Sequence, residues 1–337
     1  MEYAARIIGT GSAFPKQVVT NDDIAAILAE KNIKTSDQWI RERTGILQRC
    51  YSNLEEPSER NSSLGAEAAL KAMEMAGKKP EDIEQIIYAT CSPDTLLPST
   101  GCWLQHKLGA SKAWAMDLNA ACSGFVYGLS VAEQFIRSGK TTTALVVGAE
   151  VLSPFVNFDD RASCILFGDA AGAAVVERVD KDMPQRILST HLLSDGNLWE
   201  MLYIPAGGSN MEITPNRYSE NLHKIHMNGK EIFKVAVRTL TEFAKTALRA
   251  NQMTIEDLDW FIPHQANRRI IEAVANRLDI SMDKVLLNVD RYGNTSAATI
   301  PTALDEAVRN DIIEEGQLLL LDSFGAGLTY GSILLRW

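Results

Sequence analysis

The chain has 337 residues, 46% hydrophobic and 23% charged, with 33 Lys and Arg against 43 Asp and Glu for a formal net charge of -10. That profile excludes a disordered or fibrous chain, and the acidic balance argues against nucleic acid as a partner, because phosphate binding rests on clustered Lys and Arg. Five cysteines, at 50, 91, 102, 122 and 164, form no CxxC pair, so neither a disulfide framework nor a zinc site is encoded. No run approaches the ~20 apolar residues of a membrane span, and Met1–Gly9 lacks the basic start and long apolar run of a signal peptide. These features predict a cytoplasmic protein without a membrane partner, in about two structural units.

In chain order, short apolar runs predict strands at Arg6–Gly9, Gln85–Ala89, Trp114–Leu118, Thr143–Gly148, Ala173–Glu177, Leu258–Pro263, Leu318–Asp322 and Gly331–Arg336. Helical spacing between them covers Ser63–Ala76, Gly124–Ser138, Gly229–Ala250, Asn267–Leu278 and Ala297–Asp311. This alternation predicts an α/β architecture with covered sheets. The order of elements also repeats. Ala72-Met73 followed by Pro80–Ile87 is echoed by Ala247-Leu248 followed by Ile255–Ile262, and Phe167-Gly168 before Ala173–Val176 is echoed by Phe324-Gly325 before Ser332–Leu335. Two similar halves, 1–178 and 179–337, are expected, with Met183–Pro215 read as an insertion of loops between them.

Gly9-Thr-Gly-Ser-Ala-Phe14 begins like a dinucleotide-binding loop, but Phe14 stands where the third glycine belongs and Pro15 follows, so no nucleotide cofactor is expected. The strongest nucleophile candidate is Cys122, in Asp117-Leu-Asn-Ala-Ala-Cys-Ser-Gly-Phe125, where an apolar strand turns into a helix. At such an elbow the exposed amides and the helix dipole favour thiolate over thiol, whereas a buried structural cysteine is the plain alternative. His264, in Pro263-His-Gln-Ala-Asn267, follows an apolar strand at the position where α/β sheets bind ligands. Asn294, in Gly293-Asn-Thr-Ser-Ala297, lies at the second-half elbow corresponding to that of Cys122; an ordinary helix cap is its other reading. Two elbows facing each other bring Cys122 and Asn294 together, with His264 on a neighbouring strand end. The turn Phe324-Gly-Ala-Gly-Leu328 aims backbone amides at an oxyanion or serves only as a tight turn. His223 and His226 form an HxxH pair without a third ligand, so no metal is expected.

One local feature runs against the net charge. Between Lys224 and Arg249, six basic residues (224, 230, 234, 238, 245, 249) face two acidic ones (231, 242), and Lys230, Lys234 and Arg238 recur on one helical face. This is either a solvated face or a surface for an acidic protein.

Taken together, these segments resemble the thiolase-like condensing enzymes, most closely the β-ketoacyl-acyl carrier protein synthase III family. The likeness runs from Thr35–Ile40 and Arg43-Thr-Gly-Ile46, through Cys122, Phe167-Gly-Asp169 and Pro263–Asn267, to Gly293–Ala297 and Phe324–Gly331. It implies a thiolase-like fold of two pseudo-repeated halves in α-β-α-β-α layers, a homodimer, and an acyltransferase with no cofactor beyond its thioester substrates. The implied reaction joins an acyl-CoA primer to malonyl-acyl carrier protein with loss of carbon dioxide, initiating type II fatty acid synthesis. A polyketide or alkylquinolone type ketosynthase, or a catalytically silent acyl-binding protein, is the alternative on the same fold. The resemblance further implies a catalytic triad of Cys122, His264 and Asn294, and oxyanion donors at the Cys122 and Ala326 amides. Coenzyme A falls to Thr35, Trp39, Arg43 and Arg161, carrier-protein docking to Lys234, Arg269 and Arg277, and the acyl pocket to Leu97 and Phe324. Lys230 replaces an asparagine that some relatives have beside the pantetheine tunnel, and Leu97 replaces a phenylalanine that limits the acyl pocket from across the dimer.

Overall fold

Alternation along the strands assigns each side chain to a layer. In the strand Thr143–Glu150, Leu145 and Val147 face one hydrophobic cluster while Ala144 and Val146 face another; in Leu318–Gly325, Leu318 and Leu320 part in the same way from Leu319 and Leu321. Both strands are therefore covered on two faces, and the computed structural model, which describes residues 2–337, shows what covers them. One sheet carries, in spatial order, Tyr3–Ala13, Ala170–Asp180, Thr143–Glu150, Gln85–Ala89 and Trp114–Leu118. The other carries Trp260–Pro263, Leu318–Gly325, Thr329–Arg336 and Arg186–Ser194. The helices Gly124–Arg137 and Thr299–Arg309 lie between the sheets, where Phe125, Leu129, Ile300 and Leu304 pack with inner-face residues of both. Asn61–Met75 covers the outside of the first sheet, and Gly229–Ala250 and Arg268–Leu278 cover the outside of the second. The result is the five-layer helix, sheet, helix, sheet, helix arrangement expected from the resemblance.

The predicted strands and helices are all present: Gln85–Ala89, Trp114–Leu118 and Gly229–Ala250 keep their bounds, and the others are longer, shorter or shifted by a few residues. One expectation needs correction. Met183–Pro215 is not loop throughout, because Arg186–Ser194 pairs antiparallel with Thr329–Arg336 and closes the second sheet. Its only fully buried side chain is Ile187, so the apolar run that marks the other strands is missing here. The two glycines of the false dinucleotide loop have a packing role. A Cβ on Gly9 would lie 2.3 Å from the Ala72 carbonyl oxygen and one on Gly11 2.1 Å from that of Ala68, so both let the strand Tyr3–Ala13 approach Asn61–Met75.

The two strand-to-helix elbows meet at the centre. A Cβ on Gly148 would come within 2.3 Å of the Ala297 carbonyl oxygen, and one on Gly124 within 3.4 Å of the Ala297 Cβ. Gly148→Ala should consequently destabilise the protein by about 1–3 kcal/mol through overpacking against backbone. Gly196→Ala, where a Cβ meets nothing within 4 Å, should leave stability within about 0.5 kcal/mol. Urea midpoints of the two variants check this; equal midpoints would remove the close approach of the elbows as a constraint.

Candidate active site

Each elbow is built the same way. Asn119 Oδ1 accepts the N–H of Ala121 at 3.3 Å, and Asn294 Oδ1 accepts that of Ser296 at 2.9 Å. The residues so held, Ala121 at φ +45° and Ser296 at φ +50°, are both in the left-handed region that costs a non-glycine residue about 1–2 kcal/mol. The helices Gly124–Arg137 and Thr299–Arg309 follow. In this register Asn294 corresponds to Asn119, and Cys122 to Ala297. The elbows are equivalent as the repeat implies, but the two candidate side chains stand three residues apart within them.

Asn294 is fixed from both sides. Its N–H donates to the Leu166 carbonyl at 2.8 Å and its carbonyl accepts from Gly168 N–H at 3.0 Å, which places the Phe167-Gly-Asp169 motif. Asp169, fully buried, accepts hydrogen bonds from the amides of Ser52, Leu152 and Ser153 and from the Ser153 hydroxyl, and so ties that segment down. With Oδ1 committed to Ser296, the Asn294 amide nitrogen is the group left for a ligand.

The Pro-His-Gln-Ala-Asn segment divides its labour. Gln265 donates to the carbonyls of Pro263 at 2.7 Å and Leu286 at 3.1 Å and accepts the N–H of Asn288 at 3.1 Å, a buried clamp. Asn267 caps the helix Arg268–Leu278 through the Arg269 N–H and donates to the Arg43 carbonyl. His264 remains, its N–H bonded to the Asp322 carbonyl and its Nδ1 2.7 Å from Thr299 Oγ1.

Cys122, His264, Asn294 and Phe324 line one cavity of about 670 Å³, together with Gly325 from the glycine-rich turn. That turn lies directly against the Cys122 elbow, since a Cβ on Gly325 would sit 2.8 Å from Cys122 N. Ile232, Phe233, Ala236 and Leu240, from Gly229–Ala250, form an apolar wall. Trp39, Arg43, Arg161, Lys230, Lys234 and Arg269 also line the cavity. Trp39 is flanked by two guanidinium groups, Arg161 at 4.3 Å and Arg43 at 4.7 Å from the ring centroid.

Four expected residues lie off the cavity lining. Thr35 has its hydroxyl buried without a partner, just before the helix that carries Trp39. Arg277 is exposed on the same helix as Arg269. Ala326 lies one residue beyond Gly325 in the turn. Leu97 is 86% exposed, on a loop beside the equally exposed Leu96.

Burial sets the charge states. It pushes the Cys122 thiol up to about 12, opposed by a hydrogen bond with Ser296, and holds His264 down at about 3. Both groups are therefore neutral at physiological pH. This corrects the expectation of a resting thiolate: the helix start is present, but desolvation outweighs it. Local sequence also gave no signal for the groups behind Cys122, His264 and Asn294. Thr299 touches His264 across 35 residues, and the buried Glu150 accepts from Ser92, Cys91, Thr90 and Ser296 at the end of its strand.

Known proteins share this chain throughout. Residues 116–196 match the family model for 3-oxoacyl-[acyl-carrier-protein] synthase III, and residues 248–337 match the model for its C-terminal part. The β-ketoacyl-[acyl-carrier-protein] synthase III of Caldanaerobacter subterraneus subsp. tengcongensis is 47% identical over 336 residues, covering 100% of this chain and 98% of the relative. That of Xylella fastidiosa is 49% identical, covering 99% and 98%. The crystal structure of the 3-oxoacyl-[acyl-carrier-protein] synthase III of Aquifex aeolicus superposes with a TM-score of 0.88 at 42% identity, covering 99% of this chain and 100% of that one. With near-identical length and almost half its residues shared with these relatives, the chain belongs to the β-ketoacyl-[acyl-carrier-protein] synthase III family.

Proposed function

We propose that the protein condenses an acyl-CoA primer with malonyl-acyl carrier protein, the initiating step of type II fatty acid synthesis, with Cys122 as nucleophile. The observation that carries this reading is the meeting of a cysteine, a histidine and an asparagine from three distant segments in one cavity that is also lined by an arginine-flanked tryptophan. The indole of Trp39 offers a planar base a stacking face, and Arg43 and Arg161 offer phosphates their guanidinium groups, with Thr35 nearby. The acyl-pantetheine arm then runs along the apolar wall to Cys122. No redox or metal cofactor has a part in this chemistry.

In the first half-reaction the Cys122 sulfur attacks the thioester carbonyl, its proton passes to the departing coenzyme A sulfur, and the acyl group stays on Cys122. Amides of Cys122 and Ala326 hold the tetrahedral oxyanion. In the second, His264 and Asn294 donate hydrogen bonds to the thioester carbonyl of malonyl-acyl carrier protein. The bond to the carboxylate breaks, carbon dioxide leaves, and the electron pair forms an enolate. The enolate carbon attacks the acyl-cysteine and releases the Cys122 sulfur, which recovers a proton from solvent. Lys234, Arg269 and Arg277 receive the acidic carrier protein, with Lys230 adding charge at the cavity. Phe324 bounds the acyl pocket, and the exposed Leu96-Leu97 loop completes it on a partner subunit of a homodimer. The absence of any helix long and apolar enough to cross a membrane, among the described residues, suits these water-borne substrates.

Three outcomes follow. Intact mass after incubation with acyl-CoA should show an acyl adduct on the wild type and none on Cys122→Ala; His264→Ala and Asn294→Ala should keep the adduct but lose about 10²–10³-fold in decarboxylation. An adduct surviving Cys122→Ala would displace the nucleophile. Alkylation of Cys122 by iodoacetamide should rise about tenfold per pH unit from pH 7 to 10, because a thiol titrating near 12 gains thiolate throughout that range. A plateau below pH 8 would restore the resting thiolate. Arg269→Glu should raise KM for malonyl-acyl carrier protein at least tenfold more than KM for acyl-CoA, with equal increases ruling out the docking surface.

A further inference from the structure

The role proposed above for His264 demands something of its ring that the ring alone does not fix. A neutral imidazole carries one proton, on either Nδ1 or Nε2, and the hydrogen bond at one nitrogen decides what the other presents. The ring is nearly inaccessible, and its one side-chain partner is Thr299, at 2.7 Å from Nδ1. Nε2 is the nitrogen left to meet the substrate. If Nδ1 held the proton, Nε2 would turn a lone pair toward the lone pairs of the malonyl thioester oxygen and repel it.

The Thr299 hydroxyl has a single proton and two neighbours able to accept it: His264 Nδ1 at 2.7 Å and the Ser296 carbonyl oxygen at 2.9 Å. They are not equally in need. The Ser296 carbonyl already accepts the backbone N–H of Thr299, in the turn that opens the helix, whereas Nδ1 has no second partner. Were the hydroxyl to donate to the Ser296 carbonyl, Nδ1 would have to carry the imidazole proton and give it to Thr299 Oγ1, the tautomer that the donor role of Nε2 excludes; with the hydroxyl turned to Nδ1, the carbonyl still keeps the backbone N–H. We infer that Thr299 is a positioning residue that donates its hydroxyl proton to His264 Nδ1, keeping the imidazole proton on Nε2 as a hydrogen-bond donor to the malonyl thioester.

The inference rests on the donor role proposed for His264 and adds a cause for it. It also joins the two carbonyl donors through one turn. Ser296 gives its N–H to Asn294 Oδ1, and three residues on, Thr299 reaches His264, so a single elbow orients both groups. Val has nearly the shape of Thr without the hydroxyl, and Ser keeps the hydroxyl without the methyl, so the pair separates hydrogen bonding from packing.

The test measures acyl-adduct formation and malonyl-acyl carrier protein decarboxylation for wild type, Thr299→Val, Thr299→Ser and His264→Ala, with 15N spectra of histidine-labelled protein; the resonance lost in His264→Ala gives the assignment. Wild type should show the His264 proton on Nε2. Thr299→Val should shift that tautomer and slow decarboxylation about tenfold or more, with acylation within twofold, and Thr299→Ser should restore both tautomer and rate. A wild-type ring protonated on Nδ1 overturns both the assignment of Thr299 and the donor role of His264, whereas Thr299→Val decarboxylating at the wild-type rate while His264→Ala does not overturns the assignment of Thr299 alone. Decarboxylation at the wild-type rate in His264→Ala overturns the role of His264 and this inference with it. Should Thr299→Val unfold, the 15N tautomer of wild type and the rate of Thr299→Ser still decide: Nδ1 protonation, or a tenfold loss in the serine variant, counts against the assignment.

Discussion

The close approach of two strained elbows at the middle of the molecule is the constraint from which the rest follows. Ala121 and Ser296 both adopt left-handed backbone, each held by an asparagine two residues earlier, and the turns that follow them meet where Gly124 and Gly148 leave room for Ala297. Strain of this kind persists only where the surroundings over-determine it. Here the surroundings are two sheets and the pair of helices between them, contributed by both parts of the chain, so that Cys122 comes to the cavity from residues before 180 and His264 and Asn294 from residues after. The site exists only when those parts are packed.

That packing also sets the electrostatics. A cysteine and a histidine buried this thoroughly are kept neutral, one with its pKa raised and the other with it lowered. In the proposed cycle charge therefore appears only with substrate present, first on the tetrahedral oxyanion and then on the enolate, where backbone amides and fixed donors already point. The cationic groups belong to the cavity's exposed residues instead. In a chain of net charge -10, Arg43, Arg161, Lys230, Lys234 and Arg269 gather at one cavity, a local positive field that suits the anionic substrates of the proposed cycle.

Much of this was legible from residues alone. Alternating apolar runs located the predicted strands because sheets covered on both faces need continuous apolar stretches, and Arg186–Ser194 was missed because its side chains are mostly half-buried or exposed. The internal echo announced two related elbows, and the motifs around Cys122, His264 and Asn294 marked the residues that the structure gathers. Gly9 and Gly11 lie within the strand Tyr3–Ala13, and what they do was visible only once Asn61–Met75 lay against them.

What sequence could not supply was distance and dielectric. The helix-start argument for a Cys122 thiolate was sound locally and failed because the energy of burying charge depends on every neighbouring layer. The three-residue offset between Cys122 and Asn294 within equivalent elbows, the contact of Thr299 with His264, and the retreat of Thr35 and Leu97 from the cavity lining are likewise relations between segments far apart in the chain. Residue types and their order determined the fold class and the chemistry available, because periodicity and functional groups are local properties. Tertiary structure alone decided which groups meet, which are neutral and which nitrogen of His264 is bonded to Thr299, because those depend on through-space neighbours.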